Sequence, residues 1–238
     1  MYRNKFIAPL IVIGIVYGVY IAFNFAVCKI IETRLTHTLG LKARIGSFRL
    51  YPWRGMIAIE KFTIANPEGF SNKPIFSIKT CSAAVKLSSL THDIIPIEEF
   101  KLHGIYINVE HNKDSLNLDW LKHDVSPRAA LKDSDDADKQ EHQDGPQKKL
   151  FLINCLKAKS IEVRFASASM GLKAIHFKIP DVVINDFSEP DGRPLAIDEI
   201  LYKLVCTIID KLSAQGPANY QNEIKKFLME QLKNYYKK

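Results

Sequence analysis

One uninterrupted apolar segment near the start of the chain constrains the fold more than any other feature. Residues 6–27, FIAPLIVIGIVYGVYIAFNFAV, carry no charged side chain, and as a helix they would extend about 33 Å at ~1.5 Å per residue, enough to cross a bilayer. A cleaved signal peptide is the alternative, but its apolar region is shorter and ends in a small-x-small site, whereas this segment ends in FAVC. The sequence therefore predicts an uncleaved transmembrane helix over residues 6–27, after a cytoplasmic tail of residues 1–5.

Basic residues flank this segment on both sides. Arg3 and Lys5 precede it, and Lys29 and Arg34 follow it, so the positive-inside rule does not decide the orientation. Residues 28–40 continue with apolar side chains three and four positions apart until a glycine. This spacing predicts a short helical stalk beyond the membrane.

The chain is basic, with a formal net charge of +7 and a pI of about 9.1. Such a charge suits nucleic acid or anionic lipid. The basic residues gather beside the apolar segment and in the last stretch, KKFLMEQLKNYYKK, and the sequence contains no nucleic-acid recognition motif. We therefore expect membrane lipid, not nucleic acid, to be the partner.

Alternating apolar and polar residues follow the stalk and predict a β-rich domain over residues 41–187. The pattern predicts four or five strands over about residues 42–110, with more strands over residues 150–166 and 172–187. Between them, NLDWLK predicts a helical turn or a loop, and the polar stretch at about residues 124–149 predicts a disordered loop. The acidic part of that loop lacks the glycine and the closing glutamate of an EF-hand.

The last part of the chain, residues 195–238, is predicted to be helical. Apolar residues from Ile197 to Leu212 form one stripe at helical spacing, and a second stripe covers about residues 220–236. The predicted fold class is α+β. It consists of an N-terminal transmembrane helix, a curved and mainly antiparallel β-sheet domain, and two amphipathic C-terminal helices.

Four strand segments share one spacing, and the eighth position of each holds a residue that favours turns: Asn66, Gly104, Ser160 and Asp186. At Gly104 the apolar positions change parity, which predicts a β-bulge or a tight reversal. After Asn66 comes Pro67, which cannot donate to a strand ladder. We therefore interpret NPEGF as a structural turn, with Gly69 at positive φ and the next residue, a phenylalanine, holding the loop to the core, and not as a binding site.

No catalytic or metal-binding pattern is present in the sequence. The histidines never occur as HxH or HxxxH, and Glu98 and Glu99, as neighbours on a strand, point to opposite faces. The four cysteines form no CxxC pair. Cys81 and Cys155 lie in predicted strands and are either buried free thiols or a disulfide. We expect no catalytic residue, no metal and no cofactor.

The N-terminal span, the stretch LKARIGSFRLYPWRGMIAIEKFTIANPEGF, the strand ending VKLSSL, and IPIEEFKLHGIYINVE with NLDWL together resemble the N-terminal region of the AsmA-like bacterial envelope proteins. The resemblance covers residues 1–122 and, more loosely, residues 150–187. It implies a single-pass inner-membrane anchor and a periplasmic β-domain, in a group whose large TamB-like and YhdP-like members carry phospholipid between membranes. One departure is Ile105 after Gly104, where many relatives have proline.

Aromatic and basic residues near the two ends are the candidates for membrane or partner contact. Tyr51 and Trp53 either rest at the membrane interface or pack in the core. The last predicted helix either lies on the membrane or docks on the fold, and its candidate residues are Phe227, Leu228, Tyr235, Tyr236, Lys237 and Lys238.

These features predict a membrane-anchored, non-enzymatic module. It would bind lipid acyl chains or contribute to phospholipid transport and outer-membrane homeostasis; the alternative is a structural or assembly subunit of an inner-membrane transport or secretion complex. An enzyme would need a buried polar cluster in a cleft, which a sequence does not display. Nine or ten strands span only about 45 Å, so the chain would serve as a short module beside the membrane or as a partner of a larger envelope complex.

Overall fold

The computed structural model of the protein describes residues 7–112, 115–119, 149–167, 172–188 and 192–215. They form a mixed α+β fold with a long N-terminal helix, one large sheet and a C-terminal helix, which confirms the predicted class in outline. The α-helices of the described residues are α1 (Ile7–Leu39) and α2 (Ile197–Gln215). The last predicted helix, over residues 220–236, lies outside the described residues, as does nearly all of the predicted loop at 124–149.

Among the described residues, ten strands make up the sheet. They are β1 (Ala43–Arg44), β2 (Ser47–Tyr51), β3 (Met56–Ile64), β4 (Phe76–Val85), β5 (Ile94–Asn112), β6 (Ser115–Leu116), β7 (Leu150–Lys159), β8 (Ile161–Ser167), β9 (Leu172–Ile179) and β10 (Val182–Asn185). Short 3₁₀ helices cover Pro52–Arg54, Leu87–Thr91 and Asn117–Asp119. The last of these is the helical turn predicted for NLDWLK, and its Leu118 is buried.

The short strands lie end to end, so the sheet contains six long ribbons in the order β1/β2, β3, β4, β5, β7/β8 and β9/β10. Neighbouring ribbons are antiparallel except for β5, which runs parallel to both β7 and β8. The described sheet is therefore mainly antiparallel, as predicted, and is mixed because of the parallel contacts along β5. The reason is that β5 and β7 begin side by side, with Ile94 opposite Leu150, so the chain returns to its starting end between them.

All six ribbons change their pattern of buried residues at one level, which we call the crease. Extending the register of the flanking pairs places one residue of each ribbon there: Gly46, Lys61, Lys79, Gly104, Ser160 and Pro180. Three of them, Lys61, Gly104 and Ser160, have left-handed backbones with φ of +55°, +69° and +54°. In β5, for example, burial moves from Leu102 to Ile105 and Ile107 across this level.

The crease corrects the prediction of an extra residue at Gly104. Ile78 faces Ile105 and Thr80 faces His103, so the register of β4 against β5 is the same on both sides of Gly104. The parity of burial changes because neighbouring ribbons turn together, and not because one strand is bulged. The irregularity between β4 and β5 lies elsewhere, between Ala84 and Val85.

The structure also explains the repeated spacing in the sequence. Ile97 faces Ile153 in the parallel pair β5/β7, so the second and third copies run side by side and bring Gly104 and Ser160 to neighbouring places in the crease. The fourth copy ends in a left-handed residue, Asp186, just after β10. The first copy differs, because its left-handed residue is Lys61 and not Asn66.

The sheet has two ends, which we call the anchor end and the far end. The anchor end carries the loops after β2 and β4 and the start of β5; the far end carries the NPEGF loop and the end of β5. Helix α2 packs on the far half through its apolar stripe, as predicted: Ile200, Leu201, Leu204, Val205, Ile208, Ile209 and Leu212 are all buried. Its Leu201 and Val205 line a small cavity with residues of β3, β4 and β5.

Helix α1 runs along the edge of the sheet, antiparallel to β1 and β2. The Tyr20 hydroxyl donates to the Leu50 carbonyl at 2.8 Å, and Glu32 Oε1 accepts the Ile45 amide at 2.7 Å. Thr36 Oγ1 accepts the Ala43 amide at 3.0 Å. The docked part of this continuous helix therefore includes the segment predicted as a stalk and extends back to Tyr20, inside the segment predicted to span the membrane. It covers a sheet edge that would otherwise be open.

The rest of α1 is apolar and exposed. The segment Pro9–Leu39 has the length and composition of a membrane span, and its most apolar window is only 6% buried. An exposed apolar surface of this size indicates contact with lipid or with another apolar partner. A single-pass membrane anchor is thus weakly indicated by the structure.

Candidate functional site

No metal-binding cluster occurs among the described residues, because no three His, Cys, Asp or Glu side chains there converge. His103 is exposed on the surface of β5, and His176 pairs with Glu162 at 2.7 Å on an exposed face. Glu99 binds Lys101 at 2.5 Å and Lys157 at 2.6 Å. Glu99 and His176 thus contact neighbouring side chains on the surface of the sheet.

The structure excludes a disulfide between Cys81 and Cys155. Cys81 faces Leu102 and Cys155 faces Glu99, so β5 lies between the two cysteines. Two strand spacings of ~4.8 Å exceed the ~7 Å that a disulfide can bridge. Apolar surroundings raise the pKa of the Cys81 thiol to about 12, which keeps it protonated and unreactive at neutral pH.

A buried polar cluster occupies the far end of the sheet, around Glu110. Its Oε1 accepts Asn108 Nδ2 at 2.9 Å and Arg164 Nη1 at 2.8 Å, and it also accepts the Ser71 hydroxyl. Its Oε2 accepts the Ser71 amide at 2.8 Å and Asn66 Nδ2 at 3.1 Å. The side chains of Glu110 and Arg164 are only 10% and 12% exposed, so this is a buried ion pair.

A second amide ties the cluster to the turn at residues 117–119. Asn117, fully buried, accepts the Glu110 amide at 2.8 Å and donates to Asn66 Oδ1 at 2.9 Å. It also donates to the Asn108 carbonyl at 2.7 Å. Burial alone would raise the pKa of Glu110, but the hydrogen bonds from Ser71, Asn108 and Arg164 outweigh it and lower the pKa to about 2.

The cluster holds the NPEGF loop in place. Gly69 lies in the turn at φ +89°, and Asn112 Nδ2 donates to its carbonyl at 3.2 Å. Phe70 was predicted to hold the loop to the core, but it is only partly buried. The hydrogen bonds of Asn66 and Ser71 to Glu110 hold the loop instead. The sequence contains a signal for this cluster, since Asn108 and Glu110 interrupt an otherwise apolar strand end, but nothing in the sequence connects them to Arg164.

The anchor end presents apolar side chains to the surroundings. Trp53 is 76% exposed, which excludes core packing, and its ring meets the half-buried Tyr51 edge-on at 6.3 Å. Leu87 and Ile94, in the neighbouring loop and strand start, are 37% and 47% exposed. The predicted contact residues from Phe227 to Lys238 lie outside the described residues.

Apolar side chains also remain half-buried on the sheet next to α1. Leu50 faces Ile57, and Ile59 faces Cys81, on the adjacent strands β2, β3 and β4. All four are apolar, pack against the core and stay partly accessible. We call these four residues the apolar strip.

No family model, curated protein or solved structure matches the chain. The resemblance to AsmA-like proteins therefore stays a prediction from the sequence.

Proposed function

We propose that the protein is a membrane-anchored, non-enzymatic domain that binds the acyl chains of membrane lipids along the apolar strip. The observation that carries this proposal is the contact between the exposed apolar helix and the strip. Tyr20 and Asn24 of α1 hold the backbone of Leu50, and Leu50 faces Ile57 on the next strand. The anchor helix and the apolar strip are therefore joined at Leu50.

The cavity described between α2 and the sheet has no room for an acyl chain. It has a volume of only about 10 Å³, about the space that one water molecule needs and far below the ~300–1,000 Å³ of ordinary ligand pockets. Burial of apolar area is the main driving force for holding an acyl chain. The half-buried strip supplies such area at the protein surface, where a chain can enter sideways from a bilayer.

In this proposal the domain lies on the periplasmic side of the inner membrane and contributes to phospholipid transport or outer-membrane homeostasis. The six ribbons span about 30 Å at ~4.8 Å each. A sheet of this width does not bridge an envelope. The protein would accept lipid beside the membrane and pass it to a longer partner.

The test is lipid analysis of the full chain extracted in mild detergent and of two matched variants. Ile57→Asp places a charge in the apolar strip, whereas Val183→Asp places the same charge on the exposed strand β10. We expect phospholipid to co-purify with the unmodified protein and with Val183→Asp, and to fall severalfold with Ile57→Asp. Equal lipid in both folded variants would contradict the proposal.

A second candidate function, an assembly subunit of a larger membrane complex, is favoured by the opposite edge of the sheet. Among the described strands nothing pairs with the outer side of β10, and its Val183 is 60% exposed. Such an edge can accept a strand from another protein. Stoichiometric co-purification with a larger assembly, lost in Val183→Lys and kept in Ile57→Asp, would support this function over lipid binding.

A further inference from the structure

We propose that the anchor end of the sheet is itself a membrane-contact surface, with Trp53, Leu87 and Ile94 inserted among the lipids of the bilayer that α1 crosses. The inference rests on the membrane anchorage in the proposed function and does not depend on acyl-chain binding by the apolar strip. It assigns the domain a second attachment and a fixed orientation, with its ribbons standing on the membrane.

The contacts of α1 with Leu50 show how far the end of the sheet reaches along the helix. Asn24 Oδ1 accepts the Leu50 amide at 3.0 Å, and Tyr20 binds the carbonyl of the same residue. On other sides of the helix at this level, Phe23 and Phe25 are 50% and 65% exposed. Leu50 therefore lies beside the part of α1 whose large apolar side chains are exposed.

The chain beyond Leu50 continues towards the apolar part of α1. Along β1 and β2 the helix contacts move from Thr36 beside Ala43 to Tyr20 beside Leu50, so each step along the strand runs towards the N-terminus of the helix. The loop with Trp53 follows in the same direction. If α1 crosses a bilayer, this loop reaches the bilayer too.

Contact with the membrane requires exposed apolar side chains at the anchor end, and most of those outside α1 are found there. Outside α1, four are exposed among the described residues, and three of them, Trp53, Leu87 and Ile94, lie at the anchor end. Val183, the fourth, is on strand β10, and none is at the far end. Tryptophan is also the residue that favours the interface between lipid and water.

The charges at the anchor end are complementary to anionic lipid headgroups. Among the described residues of these loops, Arg54, Lys86 and Lys149 are exposed, and the one acidic side chain, Asp93, lies 3.9 Å from Lys149. Lys149 Nζ donates to the His92 carbonyl at 2.7 Å, which holds the amine at this end of the sheet. Basic residues close to a membrane surface are attracted to anionic lipid headgroups.

The experiment uses the fluorescence of Trp53 in the full chain. The chain has two tryptophans, so Trp120→Phe leaves Trp53 as the only one. The variant is reconstituted into phosphatidylethanolamine and phosphatidylglycerol vesicles, with and without bromine atoms on the acyl chains. We expect the bromolipids to reduce the emission of Trp53 roughly two-fold and the vesicles to shield it from aqueous iodide, as for a ring at the interface.

Paired substitutions test the rest of the surface. Leu87→Ser combined with Ile94→Ser should weaken the quenching by bromolipid, and Val183→Ser should leave it unchanged. Quenching of Trp53 by iodide but not by bromolipid would overturn the inference. Shielding from both quenchers would overturn it too, because a second copy or another segment of the chain would then cover Trp53. Because co-purified phospholipid is measured separately, an unquenched Trp53 with retained lipid refutes this inference alone.

Discussion

Gly104 lies directly beneath the side chain of Lys79 on the neighbouring strand. A Cβ atom added to Gly104 would stand 2.6 Å from Lys79 Cδ and 2.9 Å from Lys79 Cβ. The backbone of Gly104 is also left-handed, with φ +69°. Glycine therefore meets two requirements of the crease at once, since it adopts the left-handed conformation without strain and leaves room for Lys79 to cross it.

The first prediction concerns this double requirement. We expect Gly104→Ala to lower the free energy of unfolding by about 2 kcal/mol, because it adds backbone strain and displaces Lys79. The control is Gly40→Ala, where φ is +64° and no atom lies within 4 Å of the added Cβ. That change should cost about 1 kcal/mol from strain alone. Equal losses in chemical unfolding of the detergent-solubilised chain would show that the Lys79 contact contributes nothing.

The second prediction concerns the NPEGF turn. Gly69→Val places a β-branched side chain at φ +89°, in a position with no neighbouring atom within 4 Å. We expect a loss of about 1–2 kcal/mol from strain, with co-purified lipid unchanged. The turn lies at the end of the sheet opposite the apolar strip, so loss of lipid from a fully folded Gly69→Val protein would show that the loop belongs to a binding site.

Elements whose signal lies in neighbouring residues could be predicted from the sequence. Apolar residues from Ile197 to Leu212 repeat every 3.6 positions, which predicts a helix, and those of β3 to β5 alternate, which predicts strands. Each pattern places the apolar side chains on one face of its element. The turn at Gly69 is readable for the same reason, since Asn-Pro-x-Gly excludes continuation of a strand. These features depend on residues that are close together in the chain.

Features that depend on distant residues were not readable. The crease joins residues from Gly46 to Pro180, and only the register of six ribbons shows that Lys61, a residue with no turn preference, shares a level with Gly104. The parallel pairing of β5 with β7 depends on the path between them. The polar cluster likewise requires Arg164 to come beside Glu110 across 54 residues, and that contact is set by the sheet topology.

The third prediction is a pH dependence caused by Glu110. Its pKa is lowered from 4.5 to about 2 in the folded protein, so the folded state binds fewer protons than the unfolded state between these values. The cluster then contributes its stability fully above pH ~4.5 and loses it as the pH falls towards 2, about 3 kcal/mol in all. Unfolding free energies measured at a series of pH values should show this loss.

A matched pair of variants separates this effect from general acid unfolding. Glu110→Gln leaves Arg164 buried without its ion pair, and we expect a cost of about 3 kcal/mol at pH 7 with a weaker pH dependence below pH 4.5. Glu60→Gln removes an exposed ion pair with Arg49, in which Glu60 is 39% exposed, and should cost less than about 1 kcal/mol. If both variants keep the acid-induced loss of the unmodified protein, Glu110 is not its source.

The last prediction concerns the docking of α1 on the sheet. Asn24 is buried, accepts the Leu50 amide and donates to the Tyr20 carbonyl at 2.7 Å. Asn24→Leu leaves the Leu50 amide without that acceptor, which should cost about 1–3 kcal/mol and loosen the strand edge from the helix.

Limited proteolysis in detergent should then cut the connection between α1 and β2 faster in Asn24→Leu than in Phe25→Leu, because Phe25 is exposed beside it. Loosening this edge should also raise the exposure of Trp53 to iodide in vesicles, since the helix contacts set the depth of the anchor end. Unchanged cleavage and unchanged Trp53 exposure would mean that the apolar contacts of Val27, Ile31 and Leu35 hold the helix in place without the Asn24 hydrogen bonds.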